Sequence, residues 1–243
     1  MSPRATRAKG WPPSRASSPE HTGHGSSVVP RNAIMKFYDC STAPSPRRAR
    51  IFIAEKQAPV ETIEVDLARN EQLSPAFRAV NPRCTVPVLV LDDGTTLTEN
   101  QGIAAYLDAA FPEPPLLGRS PTERGLVANW NARCELEGLW AVAECFRNRS
   151  KGLANRAITG PRDFAQIPEL AERGRARAEE FLLTLDERLR ESRYLAGAFF
   201  SMADITALCV VDFASWIKLT VPDSYTGLLR WRALVGERPS SRL

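Results

Sequence analysis

Histidine is almost missing from this chain. His21 and His24 are the only two in 243 residues, and both lie near the start. Everything from residue 35 onward must do its chemistry without imidazole. That removes serine–histidine and cysteine–histidine nucleophile activation and every metal site that needs a histidine ligand, so no metal is expected. Long apolar runs are missing as well. None approaches the roughly 18 residues of a membrane span, and no membrane association is expected. The five cysteines, Cys40, Cys84, Cys134, Cys145 and Cys209, form no CxxC pair. An odd count without a visible secretory signal reads as free thiols in a reducing cytoplasm. Cys134 and Cys145 share one predicted helix at a separation of about 16 Å, too far for a bridge.

The third thing lacking is net charge on the body. The formal charge is +4, but residues 1–34 hold Arg4, Arg7, Lys9, Arg15 and Arg31 against Glu20 alone. The rest carries 27 basic and 27 acidic residues and is neutral. A nucleic-acid binder shows a basic footprint on its folded part, so no nucleic-acid partner is expected. Residues 1–33 are rich in proline, serine, glycine and arginine and poor in aliphatics. Such a stretch cannot bury enough surface to offset its ordering entropy. It is expected to be a disordered tail, with Met35 as an alternative start and an organellar transit peptide as the competing reading.

What is present begins at Lys36-Phe37-Tyr38, a short strand signal. Ser45-Pro46 offers a helix N-cap with proline behind it, and a helix is expected through Lys56. Val60 to Leu67 reads as a strand and Ser74-Pro75 as the start of a short helix. Val86 to Leu91 is a strand leading through the Asp92-Asp93-Gly94 turn into Thr95-Thr96-Leu97. Gln101 to Phe111 is helical, with Ile103, Tyr106 and Leu107 on one face. Pro112, Pro114, Pro115 and Pro121 mark an exposed linker. Beyond it the pattern is helical throughout: Leu126 to Asn148, Leu170 to Glu191, Ser201 to Leu219 and Tyr225 to Val235. The expected fold is an α/β domain ordered βαβ then αββα over 34–112, followed by an all-α bundle over 121–243.

Three local patterns carry the functional reading. In Asn81-Pro82-Arg83-Cys84-Thr85-Val86-Pro87-Val88-Leu89, a proline stands just before a strand core, where it cannot donate to the ladder. A cis Val86–Pro87 bond would leave the Val86 backbone free to pair with an extended peptide. In Leu97-Thr98-Glu99-Asn100-Gln101, Thr98 or Asn100 can cap a helix whose start suits a carboxylate. Ser201-Met202-Ala203-Asp204 is a capping box with aspartate in the acidic position, structural rather than chemical.

In this order and spacing the three patterns resemble those of the cytosolic glutathione S-transferase family, bacterial type, over roughly Met35 to Ser240. The resemblance implies a thioredoxin-like N-terminal domain with a helical C-terminal domain, and glutathione as co-substrate. It assigns Thr85, Val86 and Pro87 to the cysteinyl backbone, and Glu99 with Asn100 to the γ-glutamyl end, where the family usually has serine in place of Asn100. The implied reaction is attack by the glutathione thiolate on a small hydrophobic electrophile, a detoxification chemistry, in a homodimer. The alternatives are glutathione-dependent disulfide reduction or peroxidase activity, and a non-catalytic adaptor of the same fold that binds a protein partner.

The group that activates the sulfur stays open. Counting back from Arg48-Ala49-Arg50 places the family's activating position at Ala43, which has no donor. Ser41, Thr42 and Ser45 are the nearby hydroxyls, with Thr42 or Ser41 favoured because Ser45 is expected to cap the helix. Cys40 sits too early and would point to redox chemistry. Trp130, Trp140 and Phe146 read as core or subunit interface, with an apolar substrate pocket as the alternative, and Arg173, Arg175 and Arg177 as a solvated helix face, with an anionic-ligand site as the alternative.

Overall fold

The computed structural model describes residues 34–243. The expected disordered tail over 1–33 lies outside the described residues. The first half is built on a four-stranded sheet of order β2-β1-β3-β4. Strand β1 (Met35–Asp39) runs parallel to β2 (Val60–Glu64) and antiparallel to β3 (Val88–Val90), which pairs antiparallel with β4 (Thr96–Leu97). Helix α1 (Pro44–Lys56) makes the β1–β2 crossover. Helix α2 (Pro75–Val80) precedes β3, and α3 (Asn100–Ala110) follows β4. The strands alternate as a sheet with two covered faces must. Phe37 and Leu89 point into one core with Ile51, Phe52, Ile103 and Leu107. Tyr38 and Val88 point into a smaller one, where Tyr38 meets Phe77 of α2 edge-on at 5.9 Å.

The second half is helical: α4 (Pro121–Arg133), α5 (Trp140–Arg149), α6 (Pro168–Glu191), α7 (Met202–Ala214) and α8 (Thr226–Gly236). Its core continues that of α1 and α3, and the two halves share one apolar cluster. The Ser201 box forms as expected. The Asp204 carboxylate accepts from Ser201 N–H at 3.0 Å and Ser201 Oγ at 2.9 Å, and also from Leu195 N–H at 3.0 Å and Trp231 Nε1 at 2.9 Å.

Several expectations are corrected. Helix α1 starts at Pro44 with Ala43 as N-cap and no side-chain cap, so Ser45 lies inside the first turn. Pro44 competes with Pro46 for the first helical position and wins, since its preset φ suits that site. Neither Thr98 nor Asn100 caps α3. Its N-cap is Glu99, without a side-chain bond, and Asn100 is the first helical residue. Strand β2 stops at Glu64 and β3 begins only at Val88, after the proline that cannot donate. The proline-rich linker is exposed only in part. Leu116 is buried and its carbonyl accepts from Met202 N–H at 3.0 Å. The buried Lys56 ammonium binds Asp108 at 2.5 Å and the carbonyls of Pro112 and Pro114. The long helical segment begins at Pro121, capped by Ser120, and a π-helical turn over Cys134–Leu139 splits it. There Gly138 lies against Phe181, whose ring would stand 2.5 Å from any Cβ. Of the three aromatics, Trp130 is core, Trp140 is exposed, and the half-buried Phe146 stacks edge-on with Phe213 at 5.7 Å and Trp216 at 5.1 Å. Arg173, Arg175 and Arg177 pair with Glu144, Glu179 and Glu144.

Candidate functional site

Three chain segments converge at one end of the sheet. Strand β1 pairs Tyr38 with Val88 of β3, and β3 pairs Leu89 with Leu97 of β4. Past those last pairs the chain runs to Cys40 after β1, comes from Val86–Pro87 before β3 and runs to Glu99 after β4. The Val86–Pro87 bond is cis. Thr85 is committed to Asn81, whose amide donates to the Thr85 carbonyl at 2.8 Å and to its Oγ1 at 3.1 Å. Asn81 Oδ1 in turn accepts from Arg83 N–H at 3.0 Å. Asn81 thus braces the loop from inside, while the N–H and C=O of Val86 bond no other described residue. A strand-like backbone left unpaired at a sheet end can take an extended peptide.

The start of α3 lies beside this edge. Glu99 is exposed and its carboxylate has no partner among the described residues. The first intrahelical donor is Ile103 N–H, bonded to the Glu99 carbonyl at 3.0 Å, so the N–H groups of Asn100, Gln101 and Gly102 face outward unbonded, as at any uncapped helix start. Asn100 itself is buried and donates from Nδ2 to Ser45 Oγ at 3.3 Å, which joins the start of α3 to the start of α1.

The candidate hydroxyls differ in their commitments. Ser41 gives its O–H to Glu64 at 2.9 Å and its N–H to the same oxygen at 2.8 Å. Ser45 Oγ accepts from Asn100 and from Arg48 Nη2, the latter at 3.2 Å. Thr42 is exposed, its Oγ1 standing 3.5 Å from Cys40 Sγ. At the α1 start Pro44 and Pro46 have no N–H, and Ala43 and Arg47 spend theirs on backbone carbonyls. Ser45 N–H is the one free donor in that first turn.

Thr42, Ala43 and Pro44 line a cavity of about 150 Å³ with Arg47, Cys209, Asp212, Phe213 and Trp216. Its far wall is therefore the end of α7 and the turn behind it. Arg47 and Asp212 are joined at 2.6 Å, and Asp212 also holds Arg232 at 2.8 Å, so that wall presents paired rather than free charge. A larger, more open cleft of about 390 Å³ runs past Glu55, Tyr194, Glu237 and Arg238, where Glu55 and Arg238 are bonded to each other at 2.5 Å.

Burial raises the Asp39 carboxyl above its ordinary value, against the opposing pull of Arg50 and the Cys40 N–H. Burial also raises the thiols of Cys134 and Cys209, the latter to about 11, which leaves both unionised and unreactive near neutrality. Sequence reasoning missed Asn81, Arg48 and Gln72. Gln72 is buried with its Oε1 unpartnered. Asn81 left a sequence signal as the first residue of the Asn-Pro pair, and Arg48 as the first of Arg48-Ala49-Arg50; Gln72 left none.

Residues 42–110 match the family described as glutathione S-transferase, N-terminal domain, and residues 143–239 match glutathione S-transferase, C-terminal domain. Glutathione S-transferase 2 of Saccharomyces cerevisiae is 39% identical over 209 residues, 85% of this chain and 87% of that protein. The crystal structure of Gtt2 from the same yeast superposes with a TM-score of 0.78 at 37% identity, covering 85% of this chain and 98% of that one. A glutathione S-transferase domain-containing protein from Marinobacter aquaeolei VT8 gives 0.78 at 39% identity, covering 85% and 99%. The chain belongs to the glutathione S-transferase family. Its activity is that of a glutathione transferase, with glutathione as co-substrate. In this transferase the unpaired Val86 backbone and the open start of α3 lie at the same end of the sheet, and Thr42 and Ala43 line the smaller cavity. Among the described residues no helix is long and apolar enough to cross a membrane.

Proposed function

We propose that this transferase couples the glutathione thiolate to a small hydrophobic electrophile, and that the two meet at Thr42. The observation that carries the reading is the position of Thr42 and Ala43. They follow β1, whose partner β3 is preceded by Val86, and they line a cavity walled by Phe213 and Trp216. The residues fit a γ-glutamyl tripeptide. The free N–H and C=O of Val86 pair with its cysteinyl backbone, Glu99 takes its ammonium, and the N–H groups that open α3 take its carboxylate. Glutathione supplies the nucleophilic sulfur. Thr42 donates a hydrogen bond to it with help from Ser45 N–H, favouring the thiolate over a free thiol of pKa near 8.5. A carbon–sulfur bond then forms at the electrophilic carbon as its leaving group departs with the bonding pair. Ser41 is the weaker donor candidate because its proton is held by Glu64.

We place the division of the chain in the linker between α3 and α4, and read the protein as a cytoplasmic homodimer serving detoxification. Glutathione-dependent disulfide reduction is disfavoured by the lack of a cysteine at the start of α1 and by the burial of Cys40. The test is twofold. Calorimetric titration should show glutathione binding. Initial rates should then be higher with an aryl halide than with a low-molecular-weight disulfide. Faster turnover of the disulfide would replace conjugation by redox chemistry, and no binding would point to an adaptor.

A further inference from the structure

A string of buried and half-buried polar side chains joins the first turns of α1 and α3. Arg48, 4% exposed, donates from Nη1 to Glu135 Oε1 at 2.9 Å and from Nη2 to Ser45 Oγ at 3.2 Å. Asn100, 5% exposed, donates from Nδ2 to the same Ser45 oxygen at 3.3 Å. The string begins at the π-helical turn of the helical half, passes through α1 and ends on the first residue of α3.

Two features set it apart from ordinary packing. Both bonds at Ser45 use it as an acceptor, which fills its two lone pairs. Asn100 Oδ1 and Arg48 Nε are buried without any partner. A half-satisfied buried amide is costly, yet asparagine has a cheaper local option: bonding N–H groups of its own helix start. Here that option is not taken. The amide is drawn inward to Ser45, and the first N–H groups of α3 stay open.

We propose that Ser45 and Arg48 are positioning residues for the glutathione site. By holding the Asn100 amide inward they keep the opening N–H groups of α3 free and oriented for the carboxylate at the γ-glutamyl end. The inference rests on the reading of the Glu99–Asn100 turn given above. Glu135 anchors the string, so a residue of the helical half reaches the glutathione site without touching it. The Ser45 hydroxyl on this account contacts no reacting atom; only its backbone N–H faces the sulfur. Without its hydroxyl, the Asn100 amide is released to turn onto the donors the ligand needs.

The test uses two ligands on the full chain: glutathione, and γ-aminobutyryl-cysteinyl-glycine, which keeps the ammonium and thiol but lacks the γ-glutamyl α-carboxylate. Ser45→Ala should weaken glutathione binding roughly three- to tenfold, the loss of one supporting hydrogen bond, and leave the analogue's affinity unchanged. Glu135→Gln should act in the same direction more weakly, and Ser45→Thr should restore wild-type binding. The pKa of the bound thiol should not move. Equal losses for both ligands, or no loss for either, would overturn the inference. So would a raised thiol pKa with affinity intact, which would place Ser45 at the sulfur. A wild-type protein that binds neither ligand removes the glutathione reading itself, and this inference with it. Wild-type binding with indifferent variants removes the inference alone.

Discussion

Ser41 and Glu64 are bonded twice, the serine N–H and O–H both meeting the same carboxylate oxygen at 2.8 and 2.9 Å. The pair ties the loop after β1 to the end of β2 and turns the Ser41 proton away from any sulfur near Ala43. Ser41→Ala should therefore leave the pKa of bound glutathione where it is. The thermal midpoint should fall slightly, because an exposed hydrogen bond contributes about 1 kcal/mol or less. The thiolate absorbance of the complex, followed against pH, is the measurement. A rise in its midpoint would return Ser41 to the list of donors.

Thr42→Ala should behave differently. A hydrogen bond to a charged acceptor contributes about 1.5–3 kcal/mol, equivalent to roughly one to two pKa units. Few other donors remain to compensate, since prolines at positions 44 and 46 remove two N–H groups from the α1 start. The same pH titration should show the bound thiol shifted upward by about that amount, with glutathione affinity at low pH little changed. An unshifted titration would leave Ser45 N–H and the helix start as the stabilising groups.

These readings show what the sequence could and could not carry. The cis Val86–Pro87 bond and the helix start at Glu99 were legible because each belongs to a contiguous pattern whose backbone consequence is local. The helix cap at Ser45 was misread for a local reason too: two serviceable prolines stand two residues apart, and only the packed structure selects Pro44. The links between the halves left no trace at all. Arg47–Asp212, Arg48–Glu135 and Glu55–Arg238 join residues far apart in sequence, and no periodicity or spacing foretells a pairing across such distances. The cavity walls at Phe213 and Trp216 were hidden in the same way, inside a segment read simply as helical.

Glu99 offers a clean separation of binding from folding. Its side chain is exposed and makes no cap bond, so its removal takes nothing from the native fold that water does not supply. Glu99→Ala should weaken glutathione at least about tenfold, on the scale of a lost charge-assisted bond, while the melting temperature stays within a degree or so, as for surface substitutions away from structural features. Unchanged affinity in calorimetry would remove Glu99 from the site.

Trp216 stands edge-on to both Phe146 and Phe213 at 5.1 Å, with about half its surface open. An aryl electrophile in the neighbouring cavity would add a third aromatic contact, of the kind that contributes about 0.5–1.5 kcal/mol. Trp216→Ala should raise KM for an aryl halide roughly three- to tenfold, with kcat and glutathione affinity little altered. Trp216→Phe should recover most of the loss. An equal rise in KM for glutathione would mean that the substitution had disturbed α1 rather than the electrophile.

Asp204 ties stability to pH. Burial pushes its carboxyl up to about 6, although hydrogen bonds from Leu195, Trp231 and Ser201 pull the other way. In the unfolded chain the group returns to about 3.9. Between those values the folded state holds a proton that the unfolded state releases. Stability from this group is therefore present at low pH and is lost as pH rises from about 4 to about 6. Asp204→Asn cannot titrate and lacks that slope. The variant should be less stable than the parent, since an amide nitrogen replaces one acceptor oxygen among four donors. Its deficit should be largest near pH 4 and shrink by up to about 3 kcal/mol by pH 7, the two-unit displacement at about 1.4 kcal/mol per unit. Urea unfolding of both proteins across that range measures it. A deficit that stayed constant or grew with pH would mean that the carboxyl ionises in the folded protein as readily as in the unfolded chain.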